Sequence, residues 1–117
     1  MKINYVFLNL VDIFFSEPNV PHNLIVDRRT VSSLSFSWDA PVSGEVTGYT
    51  IELLGVSITK RTVGSGENRS TTFDNLMAGL EYTVVVVAIS GDVSSSNLKI
   101  RAYTSMFNAL VKSTQIM

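Results

Sequence analysis

The chain of 117 residues contains no cysteine and a single histidine. The first absence removes disulfides, thiolate metal ligands and cysteine nucleophiles together. It leaves the redox compartment open, because a domain of this length is stable without a bridge when its core is well filled. The second removes a histidine pair for metal and any histidine-based catalytic triad. His22, beside Pro21, reads as a surface loop residue, so no metal and no cofactor are expected. Charge is sparse as well: nine Lys and Arg against ten Asp and Glu give a formal net charge of −1. No basic face is large enough to collect phosphates, which excludes nucleic acid as an expected partner. Lys60-Arg61 and the alternate pair Lys99 and Arg101 read as solvated strand faces. No segment repeats within the chain, and no helix-period stretch of useful length interrupts its body.

What remains is a series of short runs that alternate in polarity, separated by turn residues every eight to twelve positions or so, the pattern of an all-β sandwich or barrel. Strand A is expected over residues 23–27, after Pro18 and Pro21, which protect a sheet edge. Strand B runs from Ser32 to Trp38 and stops at Asp39-Ala40-Pro41. Strand C runs from Gly48 to Leu54, with Tyr49, Ile51 and Leu53 on one face. A mixed-polarity edge strand C′ is expected over 57–63 and strand E over 69–73. Strand F starts at Tyr82, and strand G covers 97–104. Gly91 to Ser96 reads as a polar turn, so seven strands result.

The most informative stretch is Leu76-Met77-Ala78-Gly79-Leu80-Glu81-Tyr82, running into Thr83-Val84-Val85-Val86-Val87-Ala88. A tight corner here precedes a tyrosine that enters a long β-branched strand. A buried Tyr82 whose hydroxyl bonds backbone a few residues upstream pins such a corner between two sheets. Tyr82, Val84, Val86 and Ala88 then supply one face of the core. Flanking the body, residues 1–17 form an apolar extension with Lys2 at its start. Asn4, Asn9 and Asp12 interrupt it, and Phe14-Phe15-Ser16 lacks the small residue a signal peptidase needs, so it reads as an atypical leader or linker. Residues 106–117 read as a flexible extension, with Met106, Phe107, Leu110 and Val111 at spacing too brief for a stable helix.

Over residues 18–105 the sequence resembles a fibronectin type III domain. The resemblance rests on Pro21 with the strand A run, Leu34-x-Phe36-x-Trp38 before Asp39-Ala40-Pro41, Gly48-Tyr49-x-Ile51, the Leu76-to-Tyr82 corner, and a strand F ending in Ala88. The set Pro21, Leu34, Phe36, Trp38, Tyr49, Ile51, Leu76, Tyr82, Val84 and Val86 is its core signature. An immunoglobulin domain carries its Trp on strand C beside bridged cysteines, whereas Trp38 closes strand B here. Ala78 and Leu80 stand where the family usually has Pro and Thr, which leaves the corner less preorganised. Ser37 to Pro41 and Tyr82 to Val86 further resemble repeats in the ectodomains of receptor-type tyrosine phosphatases. The resemblance implies an immunoglobulin-like sandwich with A, B and E packed on C, C′, F and G. It also implies a non-enzymatic extracellular module that binds a protein partner or spaces neighbouring repeats, with no small-molecule substrate and membrane attachment only through a parent protein. An intracellular structural repeat of the same fold is one alternative, and an enzyme-associated domain is another.

Two surface features carry the functional expectations, and the others read as turns or solvated positions. Asn68-Arg69-Ser70 is the only N-x-Ser/Thr sequon, in a loop where an oligosaccharide would project into solvent. Val85 and Val87, with Leu54, place apolar side chains on the outer face of the larger sheet, either covered by long neighbours or exposed as a partner face. Ser90-Gly91-Asp92 lacks the Arg of an Arg-Gly-Asp site and reads as a turn. Gly64-Ser65-Gly66 lacks the remaining elements of either phosphate-binding fingerprint and reads as a hairpin loop. Asp39, Glu45, Asp74 and Glu81 sit in turns beside strands, where solvated or capping roles are normal, and they assemble no reaction centre.

Overall fold

The computed structural model describes residues 19–106; the expected extension 1–17, Pro18, and the expected extension 106–117 apart from Met106 lie outside that range. Eight strands fill it: β1 His22–Arg29, β2 Leu34–Asp39, β3 Gly48–Leu54, β4 Ile58–Gly64, β5 Ser70–Phe73, β6 Glu81–Ser90, β7 Val93–Ser94 and β8 Leu98–Tyr103. They form two sheets, a three-stranded β1-β2-β5 and a five-stranded sheet in which β6 pairs with β3 on one side and with β7 and β8 on the other. The fold is an all-β two-sheet sandwich, with one more strand than the sequence pattern predicts. That strand, β7, lies within the expected polar turn. It is only two residues long, so its alternation carries no signal, and it exists because Ser90 and Val93 pair across the two-residue turn Gly91-Asp92. Gly91 takes φ of 61°, as such mirror-image turns require.

The core follows the period-2 rule strand by strand. In β2, Leu34, Phe36 and Trp38 are buried while Ser35 and Ser37 between them are half-buried. Tyr49, Ile51 and Leu53 of β3 meet Val63 of β4 and Tyr82, Val84, Val86 and Ala88 of β6 in one cluster, with Leu24, Phe73 and Ala102. Leu76 packs against this cluster from its margin and is only half-buried. Two edge-to-face aromatic pairs organise the layer between the sheets: Phe36 with Phe73, centroids 6.2 Å apart, and Trp38 with Tyr49, 5.5 Å apart. Trp38 is 3% exposed, and its Nε1 has no hydrogen-bond partner, so the indole is kept inside by packing alone.

Pro21 ends up fully buried immediately before β1, so it is a core residue as well as a strand boundary. Edge protection in β1 comes from two register shifts, one between His22 and Ile25 and one between Val26 and Arg28. These bulges explain why β1 is longer than the expected 23–27 and why its alternation is weak.

The corner forms as anticipated. The Met77 N–H donates to the Tyr82 hydroxyl at 2.9 Å, and Gly79 takes φ of 63° between them. The ring of Tyr82 lies under the β3–β4 turn, where a Cβ on Gly55 would come within 2.5 Å of two of its carbons. Gly55 is therefore required by close approach.

Two arginines close the seams between the sheets. Arg61 of β4 faces the sandwich interior edge and donates to the Thr72 carbonyl and the Thr71 hydroxyl of β5, with its guanidinium 4.5 Å from the Phe73 ring centroid. At the opposite seam Arg29 of β1 donates to the Tyr103 carbonyl of β8 at 3.0 Å. Lys60 and Arg61 are both exposed, as the reading of solvated strand positions expects, but they lie on opposite rows of β4. Register places Arg61 opposite Ile51, on the inward row, and only Lys60 faces outward.

Two stability predictions follow from the packing. Tyr82→Phe keeps the ring and strands the Met77 N–H, and should lower stability by about 1–2 kcal/mol without changing the fold. A shifted urea midpoint with an unchanged slope and circular dichroism spectrum would show this. Trp38→Ala opens a cavity costing about 3–5 kcal/mol. Against a total of about 5–15 kcal/mol, the variant should melt far below the parent by calorimetry.

Candidate functional site

The sequence offers one surface with both apolar and charged character, the outer face of the five-stranded sheet. Register fixes its rows. Ile58, Leu54, Thr83 and Arg101 form one, Lys60, Glu52, Val85 and Lys99 the next, and Thr62, Thr50 and Val87 a third. All point away from the core, because the intervening residues of the same strands make up the buried cluster. The predicted partner-face residues Leu54, Val85 and Val87 are therefore brought together on adjacent rows.

Their exposure differs from an open apolar patch. Val85 is only 8% exposed, whereas Val87 and Leu54 are half-buried. Val85 lies outside the core cluster, yet its cross-strand neighbours are Glu52 and Lys99, long side chains whose stems cover it. Of the two alternatives left open by the sequence, cover from neighbouring side chains applies to Val85. The accessible apolar surface of the face is displaced toward Val87 on one side and toward Leu54 and Ile58 on the other, with Ile58 69% exposed.

The flank of the face is polar and fixed. Arg101 pairs with Glu81 at 3.6 Å, and the Tyr103 hydroxyl donates to the same carboxylate at 2.9 Å. That hydrogen bond, with the negative charge behind it, raises the Tyr103 hydroxyl above the usual tyrosine range. Burial raises that of Tyr49, with Arg69 opposing. Among the described residues no group of three His, Cys, Asp or Glu side chains is placed to hold a metal ion.

The other singled-out residues are spread over the molecule. Asn68 is exposed in the β4–β5 loop; Gly64-Ser65-Gly66, expected as a hairpin loop, instead opens a crossover from the five-stranded to the three-stranded sheet, since β4 pairs with β3 and β5 with β2, and the Gly64 N–H donates to the Glu67 carboxylate at 2.6 Å. Asp39 accepts from the Asn23 amide at 2.7 Å. Glu45 and Asp74 are exposed, and His22 is the exposed first residue of β1. The contribution of Arg61 is not visible in the sequence, since its partners lie on the opposite sheet. Only its position two residues before the buried Val63 hints that it faces inward.

The profile of the Fibronectin type III domain matches residues 19–101. The chain belongs to the fibronectin type III family. It is 37% identical over 92 residues to tenascin-N of Mus musculus and 34% identical over 87 residues to tenascin-N of Homo sapiens. Those alignments cover 78% and 74% of this chain but only 6% and 7% of the relatives, so the similarity is to one segment of much longer proteins. Among solved structures, the fibronectin type III domain of the human collagen alpha-1(XX) chain superposes with a TM-score of 0.68 at 24% identity. That match spans 80% of this chain and 91% of the other, and attests to the fold.

The asymmetry within this fibronectin type III face is open to test. Val87→Lys should change stability by no more than about 0.5 kcal/mol, whereas Val85→Lys, beneath Glu52 and beside Lys99, should cost about 1–3 kcal/mol. Equal denaturation midpoints for the two variants would show that Val85 is no more covered than Val87.

Proposed function

We propose that this chain is a non-catalytic extracellular module of the adhesion type, which presents the outer face of its five-stranded sheet to a protein partner. The observation that carries the reading is the layout of that face. Half-buried Val87 and Leu54 and exposed Ile58 flank a covered centre, and Lys60, Glu52, Lys99 and Arg101 border them with both signs of charge. Apolar contact area bordered by mixed charge is how protein interfaces combine affinity with partner selection. Sequence similarity to segments of tenascin-N supports the same class. The resemblance of Ser37 to Pro41 and Tyr82 to Val86 to receptor ectodomain repeats is compatible with this role, since the same module serves in either setting.

Adherent fibroblasts plated on surfaces coated with the purified chain provide the test. The chain should support attachment, and Leu54→Lys combined with Val87→Lys should reduce attachment at least tenfold while leaving the melting transition in place. Wild-type coats that hold no more cells than an albumin coat would refute the adhesive role and leave a spacer. Full attachment by the double variant would refute the face.

A further inference from the structure

We infer that Asn68 is an N-glycosylation site, modified when the chain passes through a secretory compartment and carried without cost by the folded sandwich. The inference rests on the extracellular reading above for its physiological setting, but not for its chemistry.

Asn68-Arg69-Ser70 has the acceptor pattern, and the structure supplies what a sequon alone does not. Asn68 and Ser70 are both exposed. Among the described residues the Asn68 amide and the Ser70 hydroxyl have no side-chain hydrogen bond, so both groups are free. Two of the other asparagines are engaged: the Asn19 amide donates to Ser43 and the Asn23 amide to Asp39. Serines on the neighbouring strand are engaged too, Ser35 with Thr72 and Ser37 with Asp27. The backbone around Asn68, by contrast, is held. The Ser70 N–H donates to the Asn68 carbonyl at 2.9 Å, and the Trp38 N–H to the Arg69 carbonyl at 3.2 Å. The main chain is anchored to β2, while the Asn68 side chain projects from it with nothing to lose.

The chemistry asked of this site is a substitution. The Asn68 amide nitrogen forms a C–N bond to the anomeric carbon of a polyprenyl-diphosphate-linked oligosaccharide. The bond from that carbon to the diphosphate oxygen breaks, its electron pair leaving with the diphosphate, and the amide gives one proton to a base of the transferase. Nothing is oxidised or reduced. Asn68 lies at the pole where the β2–β3 loop and the β6–β7 turn also lie, because Gly48 pairs with both Gly64 and Ile89. A glycan there would occupy loop space and leave the outer sheet face open.

The full chain, placed behind a heterologous signal peptide and secreted from mammalian cells, tests this apart from its native compartment. The secreted protein should migrate slowly, return to the unmodified position after peptide N-glycosidase treatment, and lose the shift in both Asn68→Gln and Ser70→Ala. Ser70→Thr should retain it. An unshifted secreted wild type would overturn the inference. So would modification of Trp38→Ala but not of wild type, since folding would then hide the site. A chain modified in this assay but inert as a cell-attachment coat would refute the adhesive role and leave the site standing.

Discussion

The bond from the Met77 N–H to the Tyr82 hydroxyl fixes where the longest strand begins. Tyr82 is the second residue of β6, and β6 is the one strand that pairs with β3, β7 and β8, so its phase determines which residues of the larger sheet face the core. The same ring sits beneath Gly55 and so also places the β3–β4 turn. A shift of one residue at this corner would carry Val85 and Val87 inward and Val84 and Val86 outward. The outer face proposed for partner contact is therefore a consequence of a hydroxyl at the opposite side of the strand.

Alternation was sufficient where a strand has one dry face and one wetter face. β3 runs from Gly48 to Leu54, as the pattern of Tyr49, Ile51 and Leu53 indicates, and the Trp38-containing strand differs from expectation only by starting at Leu34 and extending to Asp39. Strand β1 was harder to bound because its two bulges break the period. β7 was invisible because two residues have no period at all. Similarly, a period of two tells that Val85 points outward but not that Glu52 and Lys99 lie over it, since cover depends on residues some 14 or more positions away in sequence. The sequon at Asn68 was plain in the letters, whereas the freedom of its amide appears only once the bonds of its neighbours are known.

Open sheets leave unpaired carbonyls at their margins, and this sandwich addresses that problem with two side chains. Arg61 reaches from β4 to the free edge of β5, and Arg29 from β1 to β8. Each arginine belongs to one sheet and satisfies the other. A charged donor seated over an edge carbonyl both joins the layers and occupies the position that an incoming strand would need. Strand addition at these two points is thereby disfavoured.

The Arg29 contact has a mechanical meaning as well. His22 pairs with Asp39 and Tyr103 with Glu81, so the chain enters β1 at one pole and leaves β8 at the other, with both strands running the same way. Tension between the two ends would drag β1 toward the entry pole and β8 toward the exit. Arg29 to Tyr103, together with the Ser105 N–H donating to the Thr30 carbonyl, ties these two strands directly to each other near the exit. A pulling force between the two ends would thus load this pair of ties in shear, along the strands rather than across them.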